Sequence, residues 1–267
     1  MKKTSQKAKE INKILDIRKL TFIADKTIID SIDWQVNEGE RWVLLGANGA
    51  GKTSLISTIC AYNTPSSGTM TVDGKTYSDY DWQKVREKIA LVGSQLKRNI
   101  ERDETVLEVV ISGKFAMINY WGRISKELAA EAMRKLKYLH IGALANNRWG
   151  YISQGERQKV MLARALMVKP TVIFLDEPCT GLDPAARKNF VEFLDELATD
   201  RRNKAIIMAT HYVEEIPPSF THAIIIKNGK VLASGKISEV MTSSNLSEAY
   251  GQKCTLRKSR GHYRLEI

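Results

Sequence analysis

Four short stretches of this chain are apolar at every position: Ile89–Val92, Val172–Leu175, Ala205–Met208 and Ala223–Ile226. Runs without alternation predict strands covered on both faces, as in a parallel sheet flanked by helices. Between them, segments such as Ala186–Ala198 carry apolar residues at helical spacing. The beginning of the chain has a different pattern. Ile14–Thr21 and Thr27–Val36 predict antiparallel strands around a turn at Ala24-Asp25-Lys26, and Thr69–Val72 with Asp73-Gly74 adds a further strand and turn. From Leu96 to Asn147 the period becomes helical, with Val106, Val109 and Val110, then Leu128, Ala132, Leu136 and Leu139. The expected fold is therefore α/β: a parallel-sheet core, an N-terminal antiparallel β-subdomain, and an inserted α-helical subdomain at about 96–157. That insert also holds Phe115 and Tyr120-Trp121, either ordinary packing or a partner surface.

Composition narrows the class. The 267 residues, 43% hydrophobic and 27% charged, suit a globular α/β protein with an ample core. No apolar run approaches the ~20 residues that span a bilayer, and the N-terminus lacks the apolar centre of a secretory leader. Cys60, Cys179 and Cys254 show no pairing or metal spacing, which fits a reducing cytosol. The formal charge of +11 is concentrated at the ends: residues 1–13 and 252–267 each carry +4, leaving +3 for everything between. A nucleic-acid groove would place its charge on the folded body. The ends are thus read as solvated basic tails, the body as 14–251, and no nucleic-acid partner is expected.

Three local patterns carry chemistry. Gly46-Ala47-Asn48-Gly49-Ala50-Gly51-Lys52-Thr53 fits G-x-x-x-x-G-K-[ST], between the strand-like Arg41–Leu45 and the helix-like Ser54–Ile59. Its glycines let backbone N–H groups turn inward around phosphates. Lys52 reaches the β- and γ-phosphates, the Thr53 hydroxyl is placed for Mg²⁺, and the helix N-terminus favours the anion. Next, Val172–Leu175 runs into Asp176-Glu177, setting two carboxylates at the sheet's carboxyl edge. Asp176 is placed to fix Mg²⁺ near Thr53, and Glu177 to orient or deprotonate a water. Third, Tyr151–Lys159 leads into a helix whose N-cap is Ser153; with Gly155 it makes a second anion-binding end.

These motifs, in this order, resemble the ATP-binding cassette (ABC) ATPases over roughly residues 14–240. The phosphate loop is followed by Gln95 after a strand, the signature at Ile152–Glu156, Asp176-Glu177, the Gly181-Leu182-Asp183 loop, and His211 after Ala205–Thr210. The resemblance implies a Mg²⁺-dependent ATP hydrolase that dimerises head to tail. Each ATP would lie between one subunit's Gly46–Ser54 and the other's Ser153 and Gly155. Gln95 would touch Mg²⁺ or water at a hinge to the insert, His211 would contact the γ-phosphate and steady Glu177, and Asp183 would cross the dimer interface.

Two departures stand out. The signature reads Gln154-Gly155-Glu156 where the family commonly has Gly-Gly-Gln, which changes the local charge. The position that usually stacks an aromatic on adenine is Ile23, with Phe22 beside it. The resemblance further implies the cytoplasmic ATPase subunit of a transporter, bound to a separate integral membrane permease at the inner face of the membrane. Val106–Phe115 is similar to the insert of importers for metal chelates or molybdate. The competing reading is a soluble cassette acting on the ribosome or nucleic acid.

Overall fold

The runs apolar on both faces lie side by side in one sheet. The computed structural model describes residues 12–267 except 87, 98, 116, 169 and 201–203, without the side chains of residues 83, 84, 94 and 95. The chain opens with β1 (Lys13–Ile23) and β2 (Thr27–Asn37), then β3 (Arg41–Leu45) and α1 (Lys52–Ile59). β4 (Ser67–Val72), β5 (Lys75–Thr76), α2 (Trp82–Arg86), β6 (Ile89–Val92) and α3 (Ser94–Lys97) follow. The insert contains α4 (Val106–Ser112) and α5 (Lys126–Tyr138), and α6 (Gln154–Ala165) leads back to β7 (Val172–Asp176). Next come α7 (Pro184–Thr199), β8 (Ala205–Thr210), β9 (His222–Lys227), β10 (Lys230–Lys236), α8 (Ile237–Val240) and α9 (Ser243–Tyr250). β11 (Thr255–Ser259) and β12 (His262–Glu266) close the chain.

The main sheet has the order β10-β9-β3-β8-β7-β6. Every pairing from β9 to β6 is parallel, and β10 adds an antiparallel edge strand on β9. β3, β6, β7 and β8 are buried at every residue, as strands covered on both faces must be. A separate antiparallel sheet, β2-β1-β4-β5, takes up the alternating N-terminal strands. Among the described residues no helix is long and apolar enough to cross a membrane.

In the insert, α4 packs on both α5 and α6, burying Val106, Val109, Val110 and Ile111 against Ala132 and Leu136. Thr105 starts α4 with a capping box, its side chain accepting from Glu108 N–H while Glu108 reaches back to the Thr105 N–H. Phe115 and Tyr120 stack on each other at 4.4 Å, but Trp121 is 80% exposed. All three cysteines are buried and free. Burial pushes the Cys60 thiol well above its ordinary range and Cys179 to about 12, so both stay protonated at neutral pH.

The C-terminal segment is not the solvated tail that its charge suggested. Residues 255–266 form the β11–β12 hairpin, with Tyr263 and Cys254 buried and Leu256 and Leu265 partly covered. Alternation explains it: Leu256, Tyr263 and Leu265 share the inward face while Arg257 and Arg264 point the other way, and Lys258, on the inner face, lays its ammonium 3.2 Å from the Tyr263 hydroxyl. Arg257 also pairs with Glu266 at 2.9 Å. At the other end, residues 1–11 of the expected basic tail lie outside the described residues, and Lys13 already belongs to β1, 3.2 Å from Asp16.

Candidate active site

The strand order places the chemistry. β3, β8, β7 and β6 are neighbours, and their registers pair Leu45 with Thr210, Ala209 with Asp176, and Leu175 with Val92. The residues that follow these strands therefore emerge at one height along one sheet edge. They are Gly46 and the phosphate loop, His211, Glu177, and the segment holding Gln95.

The phosphate loop is shaped by close backbone approach. Gly46 has φ 156°, and a Cβ there would collide with the carbonyl oxygen of Ile226 in β9. Gly51 has φ 106°, and a Cβ would stand 3.0 Å from Ile28 O. Behind the loop, the Asn228-Gly229 turn joins β9 to β10, and its Gly229 N–H donates to Ala50 O at 3.0 Å. An Asn-Gly pair between two apolar runs is a hairpin signal. Sequence reasoning passed over it, although this turn props the loop.

α1 begins at Lys52, so Lys52, Thr53 and Ser54 form its first turn. Lys52 is only 4% exposed, and its ammonium donates to Gly46 O at 2.9 Å and Ala47 O at 3.1 Å. Burial lowers its pKa, against the pull of Glu177 and Asp176. Glu177 Oε1 stands 3.8 Å from the ammonium. Thr53 Oγ1 donates to Asp176 Oδ1 at 3.2 Å, joining α1 to the end of β7. Burial raises the Asp176 pKa while the Thr53 bond opposes it. A hydroxyl beside a carboxylate is a hard-oxygen pair of the kind that suits Mg²⁺.

Glu177 is held in a strained turn. Its φ is 47°, a left-handed conformation that costs a non-glycine residue about 1–2 kcal/mol. Its N–H donates to Ala209 O at 2.9 Å, fixing that turn against β8. The carboxylate accepts from the Thr180 hydroxyl at 3.3 Å and lies 3.1 Å from His211 Nδ1. Backbone strain of this kind collects where geometry serves function. Gln95 lies in α3, one turn beyond β6; its side chain is outside the described residues.

Ser153, Gly155 and Asp183 form a second group. Ser153 caps α6, accepting from Glu156 N–H at 3.3 Å while Glu156 Oε2 accepts from Ser153 N–H at 2.7 Å. The unusual Glu156 thus completes a capping box, a Ser-x-x-Glu signal that was readable in the sequence. Gly155 lies against Ala186 and Leu182, where a Cβ would find ordinary contacts at 3.9 and 4.0 Å. Asp183 caps α7, accepting from Ala185 and Ala186 N–H, both at 2.9 Å. A cleft lined by Lys97, Gln154, Arg157, Glu177 and Gly181 lies between this group and the first.

Two further residues escaped the sequence reading. Glu215 is buried, accepts from the Thr210 hydroxyl, and stands 3.6 Å from Arg187 of α7. It thereby ties the helix that Asp183 starts to the segment that carries His211. Nothing in an isolated Glu or Arg marks such a pair, because it depends on how α7 packs against the turn after β8.

Residues 29–180 match the family described as ABC transporter. An uncharacterized ABC transporter ATP-binding protein, YlmA of Bacillus subtilis (strain 168), is 39% identical over 223 residues, covering 83% of this chain and 84% of that protein. A probable metal transport system ATP-binding protein of Chlamydia trachomatis serovar D is 30% identical over 241 residues, covering 88% and 90%. The dimeric structure of MJ0796, a bacterial ABC transporter cassette, aligns with TM-score 0.72 at 25% identity, covering 84% of this chain and 98% of that one. The chain belongs to the ABC transporter family. It is an ATP-binding, ATP-hydrolysing cassette of the α/β fold described above.

Proposed function

We propose that two copies of this chain close head to tail on ATP and drive a separate membrane permease. The phosphate loop, Gly46–Ser54, cradles the triphosphate of one ATP, and Ser153 and Gly155 of the second copy meet its γ-phosphate. Asp183 crosses between the copies. The observation that carries this reading is the division of the site. Lys52, Asp176, Glu177 and His211 converge on one sheet edge, whereas Ser153 is exposed on the N-terminus of a separate helix.

Within one half-site, Lys52 exchanges the carbonyls of Gly46 and Ala47 for phosphate oxygens, a stronger charge-assisted bond. Thr53, Asp176 and Gln95 would hold Mg²⁺, which supplies positive charge against the phosphates. Glu177 orients and deprotonates the attacking water, and His211 holds Glu177 in place while reaching the γ-phosphate. Ile23, 51% exposed at the end of β1, meets the adenine, whereas Phe22 is packed against the core.

The permease is read as docking in the groove between insert and core, near Tyr62, Arg86, Leu96 and Arg164, with Phe115, Met117 and Trp121 exposed nearby. In this reading the chain works in the cytoplasm, against the inner face of the membrane. The relative named for metal transport supports a metal cargo, and the direction proposed is import. Purification of the tagged chain from its own membranes tests this. Recovery of a polytopic partner that raises ATP turnover is expected. Turnover raised by RNA or DNA, with no such partner, would favour the ribosome or nucleic-acid reading.

A further inference from the structure

The segment carrying His211 is gripped from outside by the last elements of the chain. Tyr250, the final residue of α9, donates its hydroxyl to the carbonyl oxygen of His211 at 3.0 Å. Burial pushes that phenol up to about 12, so it remains a donor at every physiological pH. Beyond His211, β12 packs on the turn Val213–Glu215, where Leu265 N–H donates to Glu214 Oε1 at 2.9 Å. At the hairpin's tip, Gly261 lies against Pro218, leaving 3.1 Å for a Cβ. From the inside, Thr210 Oγ1 accepts from Tyr212 N–H at 3.1 Å.

The backbone of His211 is therefore bounded by β8 on one side and by α9 and the hairpin on the other. Its imidazole must meet Glu177 Oε1 at 3.1 Å, and misplacement by about 1 Å is enough to lose a catalytic contact. The hairpin's burial, which its charge concealed, gives α9 a fixed platform: Ser243 Oγ accepts from Leu256 N–H at 2.9 Å and Ser247 Oγ from Cys254 N–H at 3.0 Å.

We propose that Tyr250 is a positioning residue for ATP hydrolysis, its hydroxyl setting the His211 backbone and through it the reach of the imidazole to Glu177. This rests on the proposed role of His211 in the hydrolytic step. The C-terminal helix and hairpin thereby support the placement of the His211 backbone through Tyr250 and are not a solvated appendage.

The test is steady-state Mg²⁺-ATP hydrolysis by the full chain carrying Tyr250→Phe, with thermal unfolding measured alongside. The expected result is a kcat lower by about fivefold, with KM for ATP unchanged within about twofold, and an unaltered melting temperature. Glu248→Gln, on the same helix but facing Lys227 at 3.9 Å, should leave kcat as it was. An unchanged kcat in Tyr250→Phe overturns the inference, as does a loss shared with KM or with the melting temperature. His211→Ala, run in parallel, separates the failures. Full turnover there removes the reading of His211 itself, whereas a lost turnover beside an active Tyr250→Phe removes only the role of Tyr250.

Discussion

His211 Nδ1 lies 3.1 Å from Glu177 Oε1, although 34 residues separate the two in the chain. The contact exists because β7 and β8 are neighbours in register, with Asp176 opposite Ala209, so each strand releases its next residue at the same edge. Glu177 is thereby aimed by a partner that does not depend on bound nucleotide. His211→Ala is expected to leave ATP binding within about twofold and to lower the hydrolysis rate by on the order of 10²-fold. Comparing calorimetric affinity with kcat checks this; a parallel loss of both would mean that His211 only supports folding.

Lys52 is the buried cation of the phosphate loop, resting on Gly46 O and Ala47 O. Lys52→Ala should weaken ATP binding by at least about tenfold, because the lost bond is charge-assisted and worth ~2 kcal/mol. Isothermal titration calorimetry reads it directly, and unchanged affinity would show that the ammonium does not meet phosphate.

The Ser153–Glu156 capping box separates stability from chemistry. Ser153→Ala should destabilise the chain by ~1 kcal/mol through the lost cap and also abolish ATP-driven dimerisation. Glu156→Gln keeps an acceptor at the third helical position, so denaturant unfolding should shift by less than about 0.5 kcal/mol. Its dimerisation should persist. A dimer lost in Glu156→Gln would show that the carboxylate has a role beyond capping.

Glu215 gives a pH signature. Burial raises its pKa, against the Thr210 hydrogen bond and Arg187. A raised carboxyl binds its proton more tightly in the folded chain, so its contribution is most favourable below the ordinary glutamate value of 4.5 and declines as pH rises above it. Relative to Glu215→Gln, the wild-type chain should therefore lose stability as pH rises from 4.5 toward neutrality. Thermal melts of both proteins across that range measure the difference. A wild-type advantage that grows with pH would contradict the assignment.

The parts of this molecule legible in the sequence were those with a local cause. Gly46–Thr53 is constrained locally, by glycines that take positive φ and pass close to other backbone. Val172–Leu175 and Ala205–Met208 were readable as buried strands because both faces are apolar, and their order then follows from the sheet. Ser153 as a helix cap was visible too, though not its closure by Glu156. What escaped depended on long-range packing. The pair of buried Glu215 with Arg187 joins the turn after β8 to the first turns of α7, and Tyr250 reaches His211 only because α9 folds back over the sheet edge. The hairpin at 255–266 was hidden because its net charge masked an alternating pattern of Leu256, Tyr263 and Leu265.

The central claim is that the catalytic site is completed by a second copy of the chain. Glu177→Gln tests it most directly, since the amide can occupy the carboxylate's place but cannot take the water's proton. Size-exclusion chromatography of this variant with Mg²⁺-ATP should show a dimer that is absent without nucleotide, together with retained ATP binding and lost hydrolysis. A monomer at every ATP concentration, with nucleotide bound, would contradict the account.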